Sequence, residues 1–195
     1  MKAVIALSDG RCTHLFPDEA VVDLTAEKLE SPVIAFGVST ATHEVVSVSE
    51  PPSEPYNAYG WVGGAWVVLN QAKVDAVLEA SKAAKRFEVR ELRKAAESSG
   101  ITVAGLPVPT DDKTRDRVDQ IVNAYADGDI TGTVDFELPS GDFVELNAVQ
   151  MQAIKAAGAQ HIQACFSSQK TLVQAINAAP DHDALAAIDI TAGWP

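Results

Sequence analysis

The sequence predicts an α+β fold: a β-rich N-terminal lobe (residues 1–69), a long connecting helix (70–99) and a C-terminal helix–hairpin–helix module (100–195). Three observations predict it. Short β-branched and aromatic runs broken by glycine and proline fill the first lobe. A helix that Asn70 can cap and Gly100 can end follows. The last hundred residues then read as turn, helix, hairpin, long helix and short helix, closing on Gly193-Trp194-Pro195.

In the first lobe, Ala3–Leu7 and Arg11–Phe16 flank Ser8-Asp9-Gly10, and Asp-Gly between apolar runs is a hairpin signal because both turn positions favour positive φ. Pro17 stops the second strand. Thr25–Lys28 predicts one helical turn, and Val33–Ser39 and Glu44–Val48 predict strands. Glu50-Pro51-Pro52-Ser53-Glu54-Pro55 favours an extended polyproline segment. Tyr59–Val62 and Ala65–Leu69 then predict a hairpin around Gly63-Gly64.

On the connecting helix, Val77, Ala80, Ala84 and Phe87 share one face and Lys82, Lys85, Arg86, Arg90, Arg93 and Lys94 lie on the others. This narrow, alanine-rich stripe predicts a helix that joins lobes or packs on another chain. Gly100–Asp111 opens the C-terminal module as a turn. Thr110 or Asp111 caps a helix whose buried face is Val118, Ile121, Val122 and Tyr125, and Asp127-Gly128-Asp129 ends it. Thr133–Leu138 and Asp142–Leu146 form a hairpin across Pro139-Ser140-Gly141, with Val134, Phe136 and Leu138 on one side. Asn147 and Gln150 have capping-box spacing. They open a long helix whose apolar positions include Met151, Ile154, Gly158, Cys165, Leu172 and Ile176. A short helix begins at Pro180-Asp181. Met151, Ile154, Cys165, Leu172 and Trp194 are the expected core of this module.

Of 195 residues, 47% are hydrophobic and 22% charged, ordinary for a soluble globular protein, and the net charge is -12. The outer segments carry it: residues 1–69 hold three basic and nine acidic side chains and residues 100–195 five and thirteen, against seven and five on the connecting helix. Two acidic lobes would repel a phosphate backbone, so nucleic acid is not an expected partner. Cys12 and Cys165 form no CxxC pair, which suits a reducing compartment. The N-terminal apolar run is too short for a signal peptide, and no stretch approaches the ~20 apolar residues of a membrane span. Synthesis in the cytoplasm is expected.

His161 and Cys165 share a helix face at i, i+4, which raises a thiol hydrolase as a rival reading. Such a nucleophile needs a group to orient the imidazole and an oxyanion hole, and the sequence suggests neither. A packing role for Cys165 is the expectation. Two ligands fall short of a zinc site, and Asp127, Asp129 and Gly132 begin a calcium-loop pattern whose closing glutamate, Glu137, falls one residue early. His14, His43 and His182 stand alone, and Asp181 and Asp183 suit a helix start. Gly63-Gly64 is a turn, not a phosphate cradle. No metal or cofactor is expected. Tyr56, Tyr59, Trp61 and Trp66 remain open between two roles: an interaction surface rich in hot-spot residue types, or the core of a β-lobe short of large aliphatics.

Gly105–Asp111, the Thr133–Leu146 hairpin, Gln160–Phe166, Leu172–Ala179 and the ending Ala187–Pro195 together resemble a domain of unknown function found in tailed-phage and prophage proteins, often beside tail-fibre genes. The resemblance covers about half the chain, from near residue 100. Its motifs are structural, so it implies a setting rather than an active site: a non-enzymatic virion component at the tail, binding tail-fibre or baseplate proteins. A threefold or sixfold homo-oligomer would match tail symmetry. An assembly chaperone that leaves the mature fibre is the first alternative, and a small inhibitor of a host protein is another.

Overall fold

The computed structural model describes residues 1–16, 23–24, 28–30, 35–36, 40, 43–49 and 55–195. The fold is α+β, and the chain divides into two compact units, Met1–Ser81 and Lys82–Pro195. The division falls inside the long helix rather than at either of its ends.

In the first unit, β1 (Lys2–Ala6) is the middle strand of an antiparallel sheet. It lies between β2 (Cys12–Phe16) and a later strand, and Ala3, Val4 and Ile5 are all buried. The expected Ser8-Asp9-Gly10 turn joins β1 to β2. Ala6 and Arg11 close it at 2.9 Å, and Gly10 takes φ 70°. Short strands β3 (Asp23–Leu24), β4 (Lys28–Glu30) and β5 (Ala35–Phe36) form a second sheet, so Lys28 opens a strand rather than ending a helical turn. The rest of that turn, most of the Val33–Ser39 strand and residues 50–54 of the polyproline segment lie outside the described residues. The third strand of the first sheet is β6 (His43–Ser47). A 3-10 turn (Tyr56–Ala58) leads to the hairpin of β7 (Tyr59–Val62) and β8 (Ala65–Val68). Ala3, Ile5, Cys12 and Val48 form the core here, with Leu15, Val46, Tyr56, Trp61 and Trp66 packed against it.

Helix α1 (Gln71–Glu97) starts at Asn70, whose Oδ1 accepts from the Lys73 amide at 3.1 Å. The structure corrects the face on which it packs. Ala80, Ala84 and Phe87 are exposed, Phe87 at 58%, whereas Val89 and even Lys82 (6% exposed) are buried. The inner face combines Val89 and Leu92 with the stems of Lys82, Lys85, Arg86 and Arg93. Long basic side chains cover apolar surface while their heads reach polar partners. A hydrophobicity pattern alone therefore assigns these residues to solvent.

In the second unit, β9 (Ile101–Val103) and β10 (Leu106–Val108) form a hairpin where the sequence suggested a simple turn. Its two-residue turn places Ala104 at φ 49° and Gly105 at φ 83°, and an alanine there conceals the pattern that Asn-Gly or Asp-Gly would show. Helix α2 (Asp112–Asp127) is capped by Asp111 and ends at Gly128 in the left-handed conformation. Strands β11 (Thr133–Glu137) and β12 (Phe143–Asn147) pair antiparallel. Helix α3 (Ala148–Ala178) begins with a reciprocal Asn147–Gln150 capping box, and α4 (His182–Ala186) follows.

Val108, Val118, Phe136, Leu146, Met151 and Ile154 form the second core, with Ile121, Val122, Tyr125 and Val134 around it. Cys165 is fully buried elsewhere along α3, and Leu172 and Trp194 are half-buried. Trp194 is fastened by its indole, which donates to the Ile190 carbonyl at 2.9 Å. Among the described residues, no helix is long and apolar enough to cross a membrane.

Candidate functional site

The β7–β8 hairpin is built on a tight Gly63-Gly64 turn, with φ 60° and 85°, which leaves Val62 opposite Ala65 and Trp61 opposite Trp66. The two indoles meet edge to face at 5.2 Å, and Trp66 Nε1 donates to the Ser49 carbonyl at 3.0 Å. Tyr59 is only 3% exposed, and Tyr56, Trp61 and Trp66 lie half-buried against the core. Tyr59 is thus buried in the lobe, while Tyr56, Trp61 and Trp66 pack on its core and keep part of their surface exposed.

Alternation then sends the other residues of the hairpin outward. Val62 is 54% exposed and Val67 38%, and both lie on the face opposite the tryptophans, beside exposed Leu69. Gly60 permits this face. A Cβ at that position would stand 2.8 Å from Leu69 Cδ1 and 2.9 Å from the Gly10 carbonyl oxygen. The close approach fastens β7 to the β1–β2 turn, where the Trp61 amide donates to Gly10 O at 2.9 Å. Among the described residues, β8 pairs with β7 alone. In a two-residue hairpin the turn-flanking residues are the hydrogen-bonded pair, so the peptide groups of Trp66 and Val68 face the open edge. No charged residue lies between Glu54 and Lys73. The signal in the sequence for the outward face was this charge-free run.

The Cys165–His161 pair does come together, with Sγ 3.8 Å from Nε2. Its chemistry is set by a second contact, since the same Nε2 lies 2.9 Å from the Ala96 carbonyl oxygen. A carbonyl only accepts, so Nε2 carries the proton and cannot take one from the thiol. Burial, with the Glu97 carboxylate adding to it, raises the Cys165 thiol above its ordinary range. An inert packed thiol is the chemistry this arrangement provides.

Asp127 and Asp129 sit at the C-terminal end of α2, where the Asp129 amide donates to Ala124 O at 2.9 Å as the chain turns through Gly128. Asp181 caps α4 through the Ala184 amide at 2.8 Å. Burial, and then His43, lowers the pKa of His14. Among the described residues, no three His, Cys, Asp or Glu side chains gather closely enough to hold a metal ion.

Sequence reasoning missed a groove of about 490 Å³ bordered by α2, α3 and β10. Its floor is Ile101, Val108, Val118, Ile154 and Ile162, with Gly158 of α3 among them. Arg115, Asp116, Asp119 and Lys155 form the rim. Lys155 pairs with Asp119 at 3.1 Å and Arg115 with Asp112.

The model of one protein family matches residues 80–192, a family described as a domain of unknown function, DUF4376. The chain belongs to this family. The match begins within two residues of the start of the second compact unit, so the family's unit includes the C-terminal half of α1. That half carries the basic inner face, and a module cut at residue 100 would lose it. No curated protein and no solved structure matches the chain.

Proposed function

We propose that this is a non-enzymatic tail-associated protein of a tailed phage or prophage, which attaches to a tail-fibre or baseplate protein as a component of the virion. The setting rests on the sequence resemblance of residues 100–195. The observation that carries the mode of action is the open edge of β8, with the outward Val62, Val67 and Leu69 beside it. Edge strands ordinarily carry lysine, proline or a bulge that prevents pairing with another chain. This one has none of these, which favours a partner strand adding to the sheet. The Cys165–His161 geometry supports the non-enzymatic part of the reading. A stable attachment needs roughly 800 Å² per partner, so the partner covers the hairpin face together with the edge. In a virion, such contacts repeat with threefold or sixfold symmetry.

Mass spectrometry of purified particles tests the reading. Stoichiometric presence supports a virion component. Absence from particles, combined with binding to the immature fibre, identifies the alternative of an assembly chaperone. Absence from particles with no capture of any fibre or baseplate protein overturns both.

A further inference from the structure

We infer that the outer face of the β11–β12 hairpin binds a short extended segment of another protein that carries two arginines one residue apart, Arg-x-Arg. The inference does not depend on the attachment proposed for β8. Val134, Phe136, Val144 and Leu146 turn into the second core. Alternation therefore turns Thr133, Asp135, Glu137, Phe143, Glu145 and Asn147 outward, and all six are exposed. The register sets them in three rows: Thr133 opposite Asn147, Asp135 opposite Glu145, and Glu137 opposite Phe143.

Two of the rows are unfavourable as they stand. Asp135 and Glu145 are like charges directly opposite each other, which destabilises a sheet. Leu138 donates to the Asp142 carbonyl at 2.8 Å to close the hairpin, so alternation makes Asp135–Glu145 a non-hydrogen-bonded pair, the kind whose side chains lie closer. Thr133 donates to Glu145 Oε2 at 3.2 Å, which satisfies one oxygen but adds no positive charge. In the third row Phe143 keeps 66% of its surface in water. Residues 118–154 hold seven acidic side chains and no lysine, arginine or histidine. Arg117 borders the same groove as Glu137, yet among the described residues no ion pair joins them.

The second unit itself shows what such a row accepts. Arg93 lies 4.5 Å from the centre of the Phe166 ring and pairs with the Glu97 carboxylate. Phe143 and Glu137 supply the ring and the carboxylate of that trio without the guanidinium. Arginine fits the place better than lysine, because a planar guanidinium stacks on a ring while its edge bonds a carboxylate. The Asp135–Glu145 row lies two residues further along, roughly 7 Å away, which is the spacing of side chains i and i+2 on an extended chain. Two arginines one residue apart therefore reach both rows. A second copy of this chain does not suit: its own Arg115-Asp116-Arg117 lies in helix α2, where i and i+2 point apart, and its net charge of -12 repels. The face is smaller than the roughly 800 Å² per partner of a stable protein interface, so the occupant is a short segment held in a salt-dependent way.

Three end-capped peptides, Gly-Arg-Val-Arg-Gly, Gly-Lys-Val-Lys-Gly and Gly-Glu-Val-Glu-Gly, titrated at low salt into the full-length 15N-labelled protein, test this by chemical-shift mapping. The arginine peptide should shift the amides of Asp135, Glu137, Phe143 and Glu145 saturably. The lysine peptide should bind there about threefold more weakly, and the glutamate peptide not at all. Glu137→Gln and Phe143→Leu change exposed side chains, so the fold should persist. Glu137→Gln should weaken the arginine peptide about fivefold. Phe143→Leu should weaken it about threefold and leave the lysine peptide nearly unchanged, which separates stacking from charge. No saturable shift, shifts centred away from the hairpin, equal binding of the glutamate peptide, or an affinity unchanged in both variants overturns the inference.

Discussion

Lys85 donates its ammonium to the main-chain carbonyl of Leu185 at 2.7 Å, so a residue of α1 holds the last turn of α4 a hundred positions later. Two neighbours act the same way: Lys82 reaches the Asn177 carbonyl at 3.3 Å and Arg86 the Asn177 Oδ1 at 2.8 Å. Cations thus meet the carbonyl ends of two helices, where the helix dipole is negative. Lys85→Met keeps the stem and removes the donor. It should cost about 1 kcal/mol, read as a lower midpoint in urea with an unchanged slope, and hydrogen exchange should quicken in α4 before the rest of the unit.

Thr110 is a buried polar side chain that joins two segments. Its hydroxyl donates to the Glu97 carbonyl at the end of α1 and accepts from the Gly100 amide at 3.0 Å. Thr110→Val preserves the shape but leaves both partners unpaired. The expected loss is about 2 kcal/mol, measured by chemical denaturation. A loss smaller than that of an exposed threonine such as Thr102 would contradict the bridging role.

Gly60→Ala should destabilise the first unit by at least ~1 kcal/mol, because the new methyl meets the Gly10 backbone oxygen, which cannot rotate away. Val67→Lys, on the same hairpin but pointing outward, should change stability by less than ~0.5 kcal/mol. It should nevertheless abolish co-purification with the proposed fibre or baseplate partner. Trp61 and Trp66 fluorescence reports the first effect and pull-down the second.

The two thiols make stability fall in alkali. Burial pushes Cys12 up from 9.0 to about 11, and Cys165 is raised in the same direction. In the unfolded chain a thiol ionises near its ordinary value, so there the proton leaves first as pH rises. The contribution of Cys12 is fully present below pH 9 and is lost between pH 9 and about 11. Cys12→Ala should flatten the decline in that window. Both thiols should label slowly at neutral pH in the native protein and quickly once it is unfolded.

Local signals made much of the fold readable. Asn147 and Gln150 announce α3, Asp111 and Gly128 bracket α2, and the alternation of Val134, Phe136 and Leu138 reports its own hairpin. Each of these features depends on residues within a few positions of one another. The basic inner face of α1 was hidden because its partners are carbonyls near Asn177 and Leu185, which no periodicity in residues 71–97 can reveal. The β9–β10 turn was hidden by an alanine doing what asparagine usually does. Of the candidate site, the hairpin was readable but its orientation was not, since strand alternation says that two faces exist and not which is covered. The groove was invisible because a glycine within an apolar stripe looks the same whether it admits a neighbour or leaves a gap.

The charge-free run from Pro55 to Ala72 has a bearing on where this protein can work. Mobile ions weaken an attraction only when it is ionic, and over distances near 8 Å at physiological strength. A junction made through β8 presents them with nothing to weaken. In the virion setting proposed above, it would hold equally in dilute fresh water and in brine, an indifference useful to a particle that leaves the regulated interior of one cell and waits outside for the next.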